Sequence, residues 1–154
     1  MILFSYIVLN IIVIVLFIKK RTKLHLLEIL VYWMIGSYLF QNLSALCYMN
    51  FKTLVIPDKL SYEFSHFLNR TILYPALMVM FIHFFLILRT YTKKILLLLC
   101  FVSILVGVEW VEHFSHILIH EHWKLWWSFA FWTVALLVLI GFMKFFRKIL
   151  YKGE

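Results

Sequence analysis

The sequence predicts an all-α integral membrane bundle of about five transmembrane helices, and three observations predict it. Hydrophobic residues make up 65% of the 154 and charged residues only 14%. A soluble protein of that size has too little polar surface to cover so much apolar material. The apolar residues fall in five runs that meet or approach the ~20 residues needed to span ~30 Å of hydrocarbon. The Lys and Arg residues cluster between those runs, as at membrane flanks.

The first run, residues 2–18, is short but uninterrupted. It lacks a basic leading region and a small-residue cleavage site, so it is expected to remain as a helix and not to be removed as a signal peptide. The second covers 28–49, the third 68–88, the fourth 95–111 and the fifth 125–143. All five are expected to be helices, because an open sheet edge in lipid leaves backbone groups unpaired. Pro75 lies near the start of the third and should bend it or loosen that end. With four glycines in the chain, helix contacts are expected to use large side chains and not a GxxxG face. The whole chain, 1–154, reads as a single transmembrane helical domain.

Between the second and third helices, Pro57-Asp58 signals a helix start. Leu60, Phe64, Phe67 and Leu68 then recur at helical spacing, with Lys59, Glu63 and His66 off that stripe. This predicts a short amphipathic helix on the membrane interface. Trp123, Trp126 and Trp127 open the fifth helix at aromatic-belt depth.

Charge sets the expected orientation. Of 15 Lys and Arg, eleven follow helix one (Lys19, Lys20, Arg21, Lys23), join helices three and four (Arg89, Lys93, Lys94) or follow helix five (Lys144, Arg147, Lys148, Lys152). Five crossings put all three zones on one side, and the positive-inside rule makes that side cytoplasmic. The N-terminus is then outside and the C-terminus cytoplasmic, in a multi-pass protein of the plasma membrane. The net charge of +8 is accounted for by these flanks, so no nucleic-acid partner is expected. Cys47 and Cys100 sit in apolar runs outside any CxxC pattern and read as small buried residues.

Polar groups inside a membrane are costly, and each needs a reason. The densest set is Glu109, Glu112, His113, His116 and His120 at the outer end of helix four. Their spacings of 3, 4, 7 and 11 from Glu109 place them on one helical face. Imidazole and carboxylate are ligands for zinc, iron or manganese, so this face is the candidate metal site. The competing reading is a solvated polar helix end, since no second helix supplies a matching set and no zincin spacing is present. Glu109 lies ~21 Å above the start of its helix at ~1.5 Å per residue. Gln41, Asn42, Asn69 and Arg70 fall near the same height and form a candidate polar cluster. Arg70 is the strong cation available there, so an ion pair with Glu109 or Glu112 is expected. His83 lies more than ~15 Å from His113 and His116 in depth, which argues against paired haem ligands. Glu28 reads as a first-turn carboxylate that favours the helix dipole. Ser44, Ser103 and Thr133 are expected to bond back to their own helices.

The stretch Asn69-Arg70-Thr71-Ile72-Leu73-Tyr74-Pro75 resembles the start of a mid-chain helix in a family of small, uncharacterised multi-pass membrane proteins of endospore-forming, low-GC Gram-positive bacteria. Glu112 to Ser115, Leu118, His120, Trp126 and Ser128-Phe129 are similar to its C-terminal pattern. Asn69 stands where that pattern has an acidic residue, and the histidines that occupy positions 113, 116 and 120 are additions to the pattern, so the resemblance implies no metal site. The resemblance covers roughly the second half of the chain. It implies about five helices and a plasma-membrane location, and no activity.

The leading expectation is therefore a small non-enzymatic membrane protein that works by association with envelope or sporulation components, through a membrane protein partner or as a homo-oligomer. The alternatives are a metal- or proton-handling protein that uses the outer Glu/His face, and a membrane-embedded enzyme acting on lipid head groups.

Overall fold

The computed structural model describes residues 2–20, 24–45, 54–55, 57, 59–121 and 123–152, the side chains of residues 2, 20, 43, 44, 54, 55 and 120 aside. It is a helical bundle. Helix α1 spans Ile2–Lys20, α2 Leu26–Ala45, α3 Leu60–Leu68, α4 Tyr74–Ile87, α5 Tyr91–Phe114 and α6 Leu125–Leu150. A π-helical turn, Asn69–Leu73, joins α3 to α4 without a break, so residues Leu60–Ile87 form one rod. That rod, α5 and α6 are each long and apolar enough to cross a membrane, and α1 is apolar but shorter.

The helices run further than the apolar runs predict. α5 begins before Ile95 and ends beyond Val111, and α6 continues past Met143 through Lys144 and Arg147 to Leu150. Backbone hydrogen bonding does not stop where hydropathy does, and long basic side chains can sit at a membrane edge while their stems stay in apolar surroundings. The predicted end of the second helix, residues 46–49, lies outside the described residues, as does Cys47. Cys100 is exposed on α5 and not buried; on a helix whose outward face meets lipid, a thiol behaves as a small apolar group.

Two features depart from the expected interfacial helix. The Leu60–Leu68 segment is helical, but it is continuous with the rod below it. Its faces are also arranged opposite to those of a helix in water: Leu60, Phe64 and Phe67 are 82%, 48% and 45% exposed, whereas Ser65 and His66 are buried. Hydrocarbon accepts the apolar stripe, and Ser65 and His66 turn inward to find partners, while Lys59, Ser61 and Glu63 stay exposed.

The π turn has a local cause. Pro75 has no N–H to give the carbonyl of Thr71 four residues back, and its ring crowds that carbonyl. The turn widens, and the Tyr74 N–H bonds to the Asn69 carbonyl five residues back. The Thr71 carbonyl is taken by the Trp33 indole Nε1–H from α2 at 3.1 Å. The neighbouring turn of α2 carries Gly36, where a Cβ would come within 3.1 Å of the Met78 sulfur and 3.5 Å of the Pro75 Cα. α2 and α4 pack closely at this one glycine, without a GxxxG repeat.

The core is aromatic and aliphatic, and runs along α4, which is buried almost throughout from Leu73 to His83. His83 is buried there against the Phe84 ring. Phe40 of α2, Tyr74 of α4 and Trp132 of α6 stack in the middle, with ring centres 4.3, 5.0 and 5.3 Å apart and planes within 28° of parallel. Thr133 bonds back to the Phe129 carbonyl as its position predicts. At one end of the bundle a two-residue antiparallel ladder pairs Leu54 with His120 and Val55 with Ile119. It ties the α2–α3 connection (β1, Leu54–Val55) to the α5–α6 connection (β2, Ile119–His120).

Candidate functional site

The polar side chains gather in two places, one near each end of the bundle. The first is built around Glu112 in the last turns of α5. The side chain is fully buried. Its Oε1 accepts from Asn69 Nδ2 at 2.8 Å and from the Tyr74 hydroxyl at 3.0 Å. Its Oε2 lies 3.2 Å from His66 Nδ1. The π turn sets up this arrangement, because it brings Asn69 into the interior just above Tyr74. Asn69 Oδ1 in turn accepts from Asn10 Nδ2 at 3.0 Å, and the same amide donates to the Tyr6 carbonyl at 2.8 Å. The Tyr6 hydroxyl donates to Ser115 Oγ at 3.4 Å. One chain of hydrogen bonds thus links α1, the π turn, α4, α3 and α5.

Glu109, one turn earlier on α5, is also buried but serves a second branch. Ser128 Oγ donates to its Oε1 at 2.7 Å and Trp132 Nε1 to its Oε2 at 2.9 Å, while Trp123 Nε1 donates to Ser128 Oγ at 2.7 Å. The stacked rings therefore have a second role. Tyr74 and Trp132 lie face to face, and each hands its single polar hydrogen to a different carboxylate of α5.

The second polar centre is Glu28, at the other end. It is fully buried at the start of α2. Its Oε1 accepts from Arg147 Nε of α6 at 2.6 Å and from the Tyr32 hydroxyl at 3.2 Å. Its Oε2 accepts from the His25 backbone N–H at 3.0 Å, the reach-back of a capping box, and from the Tyr151 hydroxyl at 3.4 Å. The first-turn role predicted for Glu28 is present, and a charge pair between helices is added to it.

The predicted outer cluster is assembled only in part. Asn69 is in the network, but Arg70 pairs with neither Glu109 nor Glu112. Its guanidinium lies over the Phe67 ring at 5.7 Å, and Nε is buried without a hydrogen-bond partner among the described residues. The π turn adds a residue to the rod just here, and an extra residue turns a helix by about 100°. Asn69 faces the carboxylates and Arg70 faces away. Gln41 and Asn42 are exposed and bond within α2, to Ser37 and to the Tyr38 carbonyl.

The predicted metal face is not one face. α5 ends at Phe114, and His116 follows in the left-handed region, with φ of 56°. The Ile117 N–H bonds to the Glu112 carbonyl and the His116 N–H to the His113 carbonyl, each at 3.0 Å. This is the bond pair that closes a helix on a left-handed residue. The histidines beyond Phe114 thus leave the helical register that the spacing assumed. His116 is exposed, and His113 Nδ1 faces the Leu118 carbonyl at 3.2 Å. The side chain of His120 lies outside the described ones. Among the described residues no three His, Cys, Asp or Glu side chains converge as a ligand set.

No family model, curated protein or solved structure matches the chain. Its chemistry has to be read from the two polar centres themselves.

Asn10, His66, Tyr74, Ser128 and Trp132 were absent from the candidate residues drawn from the sequence. Asn10 carried a signal: it is the one Asn, Gln or charged residue in an otherwise apolar stretch from Ile2 to Ile18, and such a residue demands a partner. His66 could have been found by inverting the amphipathic stripe for a lipid surrounding. Tyr74, Ser128 and Trp132 carried no signal, since hydroxyl and indole groups are common in membrane helices.

Proposed function

We propose that this chain is a five-crossing, multi-pass protein of the plasma membrane, with the basic end cytoplasmic, and that it binds and releases a proton at the His66–Glu112 pair. The observation that carries this reading is the contrast between two fully buried glutamates. Glu28 is matched by a permanent cation, Arg147. Glu112 is matched by an amide, a phenol and an imidazole. A guanidinium is a fixed cation, whereas an imidazole is a group able to gain or lose a proton. Ionisable pairs of this kind within a membrane mark proton pathways.

A recess lies on the same side. It has a volume of about 320 Å³ and is lined by His66 with Leu60, Glu63, Phe64, Phe67 and Arg70. Glu63 and Arg70 give that recess a polar edge beside its apolar wall, and His66 lies between it and Glu112. Asn69 and Asn10 then connect the carboxylate to α1, so a change of charge on Glu112 alters the bonds that hold α1 and the π turn together.

The test is infrared difference spectroscopy of the purified protein in lipid, between acid and alkaline pH. A carboxylic-acid carbonyl band is expected to change with pH, to disappear in Glu112→Gln and to move its midpoint in His66→Gln. A pH response identical in wild type and Glu112→Gln sinks the reading and returns the chain to association with membrane partners.

A further inference from the structure

At the basic end, three helices leave an open groove of about 450 Å³ between them. Phe85 of α4, Ile95 and Leu98 of α5, and Leu137 and Ile140 of α6 form its walls. Lys94 of α5, Lys144 of α6 and Tyr91 complete it. The Lys94 ammonium is held 4.7 Å above the centre of the Phe85 ring. Neither lysine has a carboxylate within ion-pair distance among the described residues.

The groove combines two chemistries. Its walls are aliphatic and aromatic, and two unneutralised cations from different helices stand in it. An acyl chain matches the walls and a phosphodiester matches the lysines. Basic pockets between membrane helices are where anionic lipid head groups bind, each nearby lysine contributing roughly a fivefold gain in affinity. The sequence adds that the lysines fall one at each flank of an apolar run, Lys94 just before Ile95 and Lys144 just after Met143. They therefore lie at the depth where phosphates sit.

We infer that the α4–α5–α6 groove is a binding site for one anionic phospholipid, its phosphate held by Lys94 and Lys144 and an acyl chain laid against Leu98, Leu137 and Ile140. The site is independent of the His66–Glu112 pair, which lies at the other end of the bundle.

The test uses the full-length chain in mild detergent with equal amounts of phosphatidylglycerol and phosphatidylcholine, with retained adducts counted by native mass spectrometry. Wild type is expected to retain phosphatidylglycerol in preference. Lys94→Gln/Lys144→Gln should cut that preference about 25-fold, a factor of about five for each lysine. Lys148→Gln/Lys152→Gln removes the same charge from the same end, outside the groove, and should leave the preference within about twofold. Ile140→Trp fills the groove with both lysines intact and should lower adducts of both lipids. Equal losses from the two lysine pairs, no preference in wild type, or complete displacement of the lipid by excess soluble glycerol phosphate would each overturn the assignment.

Discussion

Trp33 donates its indole N–H to the Thr71 carbonyl at 3.1 Å, the carbonyl that Pro75 leaves without its helical donor. A helix on one side of the core thereby completes the backbone of the helix on the other. Trp33→Phe keeps the ring against Phe17 but strips that donor, and a buried carbonyl left open costs about 1–3 kcal/mol. Thermal unfolding in detergent should show that loss. In a Pro75→Ala background residue 75 supplies its own N–H, so Trp33→Phe should cost less there. Equal costs in the two backgrounds would show that the indole does not serve this carbonyl.

Glu28 and Arg147 join the start of α2 to the end of α6. Arg147→Leu leaves a buried carboxylate with only phenol and backbone donors. The expected loss is about 2–3 kcal/mol, below that of a fully buried pair because the Arg147 side chain is 32% exposed. Glu28→Leu/Arg147→Leu should recover part of it, since no charge remains to be paired. A double variant as unstable as the sum of the two singles would argue against direct coupling.

His116 occupies a left-handed position that glycine fills without strain. His116→Gly should stabilise the chain by about 0.5–1 kcal/mol, and His116→Val should destabilise it. Calorimetry on the three proteins decides the point. A stability loss in His116→Gly would mean that the imidazole makes a contact worth more than the backbone strain.

Asn69 gives a donor to Glu112 and an acceptor to Asn10. Asn69→Asp sets a second carboxylate against Glu112, so one of the two must hold a proton in the folded state. In the unfolded chain an Asp or Glu carboxyl has its ordinary pKa of about 4, so across pH 5–8 that proton is absent there. Folding of this variant therefore takes up a proton, and its stability should fall as pH rises. Unfolding temperatures measured across pH 5–8 should slope downward for Asn69→Asp relative to wild type. A flat difference would place Asn69 outside the carboxylate's immediate shell.

Much of this molecule was legible from composition and spacing. The five apolar runs located the helices, because hydropathy and length are properties of each segment alone. Glu28 was recognisable as a first-turn carboxylate, and Glu109 and Glu112 as the polar positions of α5 that need an explanation, because an ionisable group in an apolar run is costly whatever surrounds it. Pro75 marked where the third helix is perturbed. Tertiary structure alone decided the partners. Arg70 and Asn69 are adjacent in the chain and equal in height, yet one turns to the carboxylates and the other to Phe67. Which of them faces Glu112 depends on a π turn that forms around Pro75 against Trp33. His113, His116 and His120 share a face only if the helix continues, and it stops at Phe114. Spacing along one helix fixes height and face within that helix, whereas rotation about its axis is set by what it packs against. Which donor meets which carboxylate is therefore a property of the bundle and not of any single segment.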